Sequence, residues 1–201
     1  MDRREVLKRV AVLMGGALSA PAILGVLNGC TSRSDSNWTA VFLDKEQALI
    51  VETIADLIIP RTDTPGANDV GAPGFIDLML KDVYPPKDQQ RFLRGLAALN
   101  EASLQRHGEA FVDLPPDKQS ALVGDIHVAA VRANRLLDPS APIERPFILM
   151  MKELTLLGYF LSLPGATRTL QYDAVPGAFK ACLPLSEAGN GKTWADVPGI
   201  F

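Results

Sequence analysis

Apolar residues recur at steps of three and four in five stretches of this chain, and proline-rich breaks separate the stretches. That period marks helices with one buried face. Asp44 followed by Gln47 predicts the first helix start, because the Asp oxygen accepts from a first-turn amide while Gln reaches back. Leu49, Ile50, Ile54, Leu57 and Ile58 share its inner stripe, and Pro60 ends it by forcing the preceding residue out of helical angles. A second helix fits residues 74–84, with Phe75, Leu78 and Met79 inward, before Pro85-Pro86 breaks the chain. The third, over 86–107, turns Phe92, Leu93, Leu96, Leu99 and Leu104 inward, and Lys87, Asp88, Gln89, Arg91, Arg94 and Glu101 mostly to water. Leu114-Pro115-Pro116-Asp117 opens a fourth over 116–135, whose inner side chains are Leu122, Val123, Ile126 and Ala130. The fifth, over 145–163, carries Phe147, Ile148, Met151, Leu154, Leu157 and Phe160. Apolar on so many sides, it belongs at the centre of the fold.

No run alternates as strands do, so the expected fold class is mainly α: a single compact helical domain with long ordered loops and a C-terminal wrapping arm. Between the first two helices, residues 61–67 read Arg-Thr-Asp-Thr-Pro-Gly-Ala, in which Asp and Thr side chains satisfy backbone amides and Pro-Gly sets a reversal. This loop looks built to hold one shape. After Leu163 the chain is punctuated by Pro and Gly and spaced with the aromatics Tyr172, Phe179, Trp194 and Phe201. Such a segment predicts an ordered arm, wrapped around its own domain or a partner, since disordered linkers seldom carry so many aromatics.

The N-terminal segment has a different pattern. Arg3 and Arg4, then Lys8 and Arg9, precede an uncharged stretch that ends at Cys30. A charged start, a weakly apolar middle and a small residue before a cysteine follow the order of a secretory signal. Residues 2–8, Asp-Arg-Arg-Glu-Val-Leu-Lys, resemble the twin-arginine export motif, with Asp2 and Val6 as departures from it. The glycines and Pro21 that dilute the apolar stretch suit that route and make a poor spanning helix. Leu27-Asn28-Gly29-Cys30 resembles a lipobox with Cys30 as the acylated residue, although Asn28 is not the usual small residue there. Cleavage at another small residue and an uncleaved anchor are the alternatives. The expected organisation is a signal over 1–29, a polar tether over 30–41 and a helical domain over 42–201, periplasmic and held at the inner membrane.

Removing residues 1–29 leaves 172 of the 201 residues, enough for one domain with a sizeable core. The leader holds four positive and two negative charges, so the whole-chain net of −3 becomes about −5. That acidity argues against nucleic acid as a partner, since its phosphates call for a basic face. The chain has two cysteines, and with Cys30 acylated Cys182 has no intrachain partner. Burial is the default reading of Cys182; a disulfide to another subunit is the sharper one.

Candidate chemistry is sparse. His107 and His127 lack metal-ligand spacing, and neither a dinucleotide glycine fingerprint nor a phosphate loop is present. No Cys-x-x-Cys-His attaches a haem and no Gly-x-Ser-x-Gly presents a nucleophile. Glu52 and Asp56 lie one turn apart and read as a solvated helix face. No catalytic, cofactor-binding or metal-ligating residue is expected, and the chain is not an enzyme on its own.

Three segments together resemble a known family: Ile58-Ile59-Pro60-Arg61-Thr62-Asp63-Thr64-Pro65-Gly66-Ala67, then Phe75-Ile76-Asp77, then Leu154-Thr155-Leu156-Leu157-Gly158-Tyr159-Phe160 with Tyr172 and Val175-Pro176-Gly177. They are similar to the gluconate 2-dehydrogenase subunit 3 family. The resemblance implies a small γ subunit of a membrane-associated sugar or sugar-acid dehydrogenase. In such complexes FAD sits in a larger glucose-methanol-choline (GMC) type catalytic subunit, and electrons pass to a cytochrome c subunit carrying haem c. The resemblance further implies that the small subunit supports folding and stability of the signal-less flavoprotein and carries it through the twin-arginine translocase. A freestanding periplasmic lipoprotein with a ligand-binding or chaperone role is the competing function. The partner-binding residues expected on this basis are Arg61, Thr62, Asp63, Thr64 and Pro65 of the loop, and Tyr159, Phe160, Tyr172, Pro176, Gly177 and Phe179 of the arm, with Cys182 as the intersubunit disulfide candidate. Pro and Gly limit the unbound ensemble, so less ordering entropy opposes docking, and the aromatics supply anchors. The alternative is that the same residues clamp the domain's own core.

Overall fold

A computed structural model describes residues 38–135, 145–175, 182–187 and 191–195. Helix α1 (Lys45–Ile58) starts as its sequence predicts: Asp44 accepts from the Gln47 amide at 2.8 Å, and the Gln47 side chain accepts from the Asp44 amide at 3.1 Å. Helix α2 (Ala72–Asp82) has proline in its first turn, and α3 (Pro86–His107) ends at Gly108, whose φ of 77° suits a left-handed C-cap. A 3-10 turn (Phe111–Asp113) leads to α4 (Pro116–Arg135), and α5 (Phe147–Leu161) runs into a π-helical turn (Gly165–Thr169). The fold is mainly helical, and among the described residues the extended pairing is one isolated bridge between Gln171 and Trp194.

The predicted centrality of α5 holds, for α1, α2, α3 and α4 all pack on it. Its buried side chains are Phe147, Ile148, Met150, Met151, Leu154, Thr155 and Tyr159. Phe147 meets Phe92 of α3 edge-on with ring centroids 5.1 Å apart. Gly95 permits this crossing, because a Cβ there would lie 2.2 Å from the Phe147 side chain.

Two faces differ from expectation. On α2, Leu78 is 51% exposed, while Ala72, Pro73, Ile76, Asp77 and Leu80 are buried. The cause is Asp77, whose carboxylate is turned inward to accept from the amides of Val41, Phe42 and Leu43 at 2.7, 3.1 and 2.8 Å. On α3, Leu104 is exposed and Ser103 occupies the core position, its hydroxyl donating to the Glu109 carbonyl. A polar residue is tolerated there because its hydrogen bond is made inside the protein.

Beyond the π-helical turn, part of the arm folds back on itself. The Gln171 amide donates to Thr193 O at 3.0 Å, the Ala195 amide to Gln171 O at 2.7 Å, and the Lys192 ammonium bonds the Arg168 carbonyl.

Removing the Asp77 carboxylate would leave three amides without their acceptor. Asp77→Ala is expected to destabilise the domain by about 3 kcal/mol. Urea denaturation checks the magnitude, and faster amide exchange at residues 41–43 checks the cause.

Candidate functional site

The loop after α1 is held by its own backbone first. The Ala67 amide reaches Ile59 O at 2.8 Å, and the Thr62 amide reaches Thr64 O at 3.0 Å. Gly66 sits in the neck of this turn, where a Cβ would lie 2.8 Å from the Arg61 nitrogen, so a side chain there would open it. Asp69 closes the loop from outside. It accepts from the Gly66 amide at 2.8 Å and from Arg61 Nε at 2.6 Å, while Arg61 Nη2 bonds its second oxygen. A two-pronged guanidinium contact fixes orientation as well as distance.

Charge follows this geometry. The Arg61 guanidinium, with help from the Gly66 amide, holds the Asp69 carboxyl below the usual carboxylate range. Asp69 in turn raises the Arg61 guanidinium above its ordinary value. Asp56 is pushed up, chiefly by burial and then by the charge of Asp69.

Tyr159 brings the arm and the loop together. Its hydroxyl donates to Pro65 O at 2.8 Å and shares a 2.7 Å hydrogen bond with Thr169 Oγ1 of the π-helical turn. At 1% exposure, the ring is a core residue rather than a surface anchor. The expectation of a partner contact at Tyr159 is therefore corrected: a hydroxyl satisfied by two local groups and a ring enclosed by the domain serve the internal clamp. Phe160 packs edge-on against it and is 37% exposed, and Tyr172 is more than half exposed. Arg61, Thr62 and Asp63 are exposed, with Thr64 and Pro65 half-buried. Together with Asp69 they form one wall of a groove of about 490 Å³, and Pro164, Arg168 and Lys192 form the other.

Cys182 is exposed, with φ of 56°, so the default reading of a buried thiol does not hold. Arg3, Arg4, Cys30, Pro176, Gly177 and Phe179 lie outside the described residues. His107 ends α3 at the surface, and His127 lines a separate cleft with Leu57, Val123 and Lys152. Among the described residues no cluster of His, Cys, Asp and Glu is placed to hold a metal, and no helix is long and apolar enough to cross a membrane. The sequence reading missed Asp69, Thr169, Arg168 and Lys192, which complete the loop and groove. Only Asp69, eight residues after Arg61, offered a local signal, through the preference of Asp for bonding nearby turn amides.

The sequence pattern of the gluconate 2-dehydrogenase subunit 3 family matches residues 45–177. The chain belongs to that family. The match begins at α1 and takes in the loop, α5 and the π-helical turn, so every wall of the groove except Lys192 lies within it. Searches of curated proteins and of solved structures returned no match to this family member.

The Asp69 carboxyl ionises more readily in the folded chain than in the unfolded one, so its contribution is present above its ordinary value of 3.8 and is lost as pH falls through the lower folded value. Asp56, shifted up, has the opposite sign: it disfavours the fold at neutral pH and is relieved on protonation. The Gly66 amide resonance is expected to shift as pH falls below about 4 in the native chain. In Asp69→Asn that acid transition disappears.

Proposed function

We propose that this chain is the non-catalytic small subunit of a periplasmic, membrane-associated, FAD-dependent sugar or sugar-acid dehydrogenase. The observation that carries the reading is the family match over residues 45–177, which identifies a subunit of a dehydrogenase complex. In this reading a GMC-type partner holds FAD and takes hydride from the sugar, and a cytochrome c subunit with haem c receives the electrons. The Arg3-Arg4 signal takes the folded pair through the twin-arginine translocase, and lipid on Cys30 or the partner itself keeps it at the inner membrane. The small subunit supports folding, stability and export of the flavoprotein. The exposed loop residues Arg61, Thr62 and Asp63 are proposed as contacts, with Thr64 and Pro65 behind them. Phe160 and Tyr172 of the arm join them in the proposal, as do Pro176, Gly177 and Phe179 on the ground of the sequence alone. A loop already closed by Asp69 and Tyr159 supports this assignment, since a preformed surface loses little entropy on docking.

The test is an affinity pull-down of the tagged chain from native periplasm and membranes, followed by an absorbance scan. A larger co-purifying protein with a flavin spectrum is expected; a colourless single chain from cells that express the flavoprotein refutes the proposal.

The exposed thiol of Cys182 is further proposed to bridge to the larger subunit in the oxidising periplasm. Non-reducing electrophoresis of the complex should give a band of summed mass that Cys182→Ser abolishes, and separate bands from the native complex would exclude the bridge.

A further inference from the structure

Helix α5 is apolar over most of its surface, with Lys152 and Glu153 as its charged residues, and its last turns are covered by the domain on one side. Beside the buried seam of Met151, Leu154 and Gly158, three residues of its last turns remain open: Leu157 at 40%, Phe160 at 37% and Leu161 at 43% exposure. Spaced by three and four, they share one face of the helix. Leu163, just past the helix end, is 77% exposed and extends the ridge. The ridge is rigidly rooted, because the neighbouring Tyr159 is enclosed and bonded to Pro65 and Thr169, and the Ser162 hydroxyl bonds Tyr159 O at 2.6 Å.

We infer that the ridge formed by Leu157, Phe160, Leu161 and Leu163 is the apolar anchor by which the chain docks on the larger catalytic subunit, into an apolar patch edged by a carboxylate. This placement rests on the small-subunit reading above. Three observations support that occupant. The four side chains expose on the order of 400 Å², near the largest apolar patch an ordinary monomer carries and about half of one side of a standard interface. Leu163 adjoins Pro164, where the groove wall begins, and the groove sets Arg61, Arg168 and Lys192 against Asp63 and Asp69. It is locally positive on a chain of net charge −3, so an acidic edge on the partner is complementary. A lipid surface fits less well. Glu153 lies on the same outer face one turn before Leu157, and the groove lacks the block of four or more basic residues that anionic headgroups recruit.

The experiment uses the full chain co-expressed with its catalytic subunit. Leu161→Glu/Leu163→Glu is expected to keep the native circular dichroism and melting temperature and to bind the flavoprotein at least about thirtyfold more weakly. Val128→Glu, at a 48% exposed site on α4, should bind as the native chain does. On the unsubstituted complex, amide exchange over residues 157–163 should slow when the catalytic subunit is bound. That second measurement decides the matter even where the double variant fails to fold. Native affinity in the folded double variant, or unchanged exchange over 157–163, overturns the placement. So does a variant that keeps the flavoprotein and loses only its binding to phosphatidylglycerol vesicles, which would assign the ridge to lipid. An unsubstituted chain that retains no flavoprotein overturns the small-subunit reading itself, a result distinct from the others.

Discussion

Four amphipathic helices each bring one apolar stripe to this fold, and α5 is the surface on which those stripes meet. None of α1 to α4 could bury its stripe alone, and burial of aliphatic and aromatic side chains is the main favourable term in folding. The requirement for close packing then fixes the neighbours: a glycine in α3 admits Phe147, and the edge-on contact of Phe147 with Phe92 holds the crossing. Helices whose partners are chosen by one shared core member lose their positions together, so the loop and the π-helical turn at the end of α5 inherit their placement from packing some distance away.

The clamp at that end shows how a polar group is used inside the domain. Tyr159 places its ring in the core and its hydroxyl between a loop carbonyl and a threonine 10 residues downstream, joining segments 94 residues apart in sequence. Asp69 does similar work at the surface, where a carboxylate held by a guanidinium and an amide replaces the hydrogen bonds the loop cannot make within itself. Water competes more freely for the second arrangement than for the first, where the tyrosine ring is enclosed, so the tyrosine contributes more to the persistence of the loop than the more conspicuous ion pair.

Much of the helical plan was legible in the sequence because its signals are local. Asp44 with Gln47 marks a start and Pro60 a stop, and Pro86 opens a helix that ends at His107, without reference to the rest of the chain. Facing was less legible where a polar residue had a tertiary task. Asp77 and Ser103 occupy core positions that periodicity assigns to leucines, because their partners at residues 41–43 and 109 come from other parts of the fold. The loop was recognisable as rigid from its own residues, whereas its closure by Tyr159 needed a contact that no local pattern announces. The apolar breadth of α5 was plain, but how many neighbours would be available to cover it was not, and that balance leaves Leu161 and Leu163 in the open.

Asp77 also decides where a mechanical load enters the molecule. Residues 41–43 are the stretch through which the chain reaches α1 from its N-terminal side, and their amides are bonded to a side chain in the middle of α2. Tension drawn along the chain from that side is therefore borne by three hydrogen bonds to one carboxylate before it reaches the first turn of α1. The capping box at Asp44 is shielded from the pull, and the force passes into the packed body of the domain.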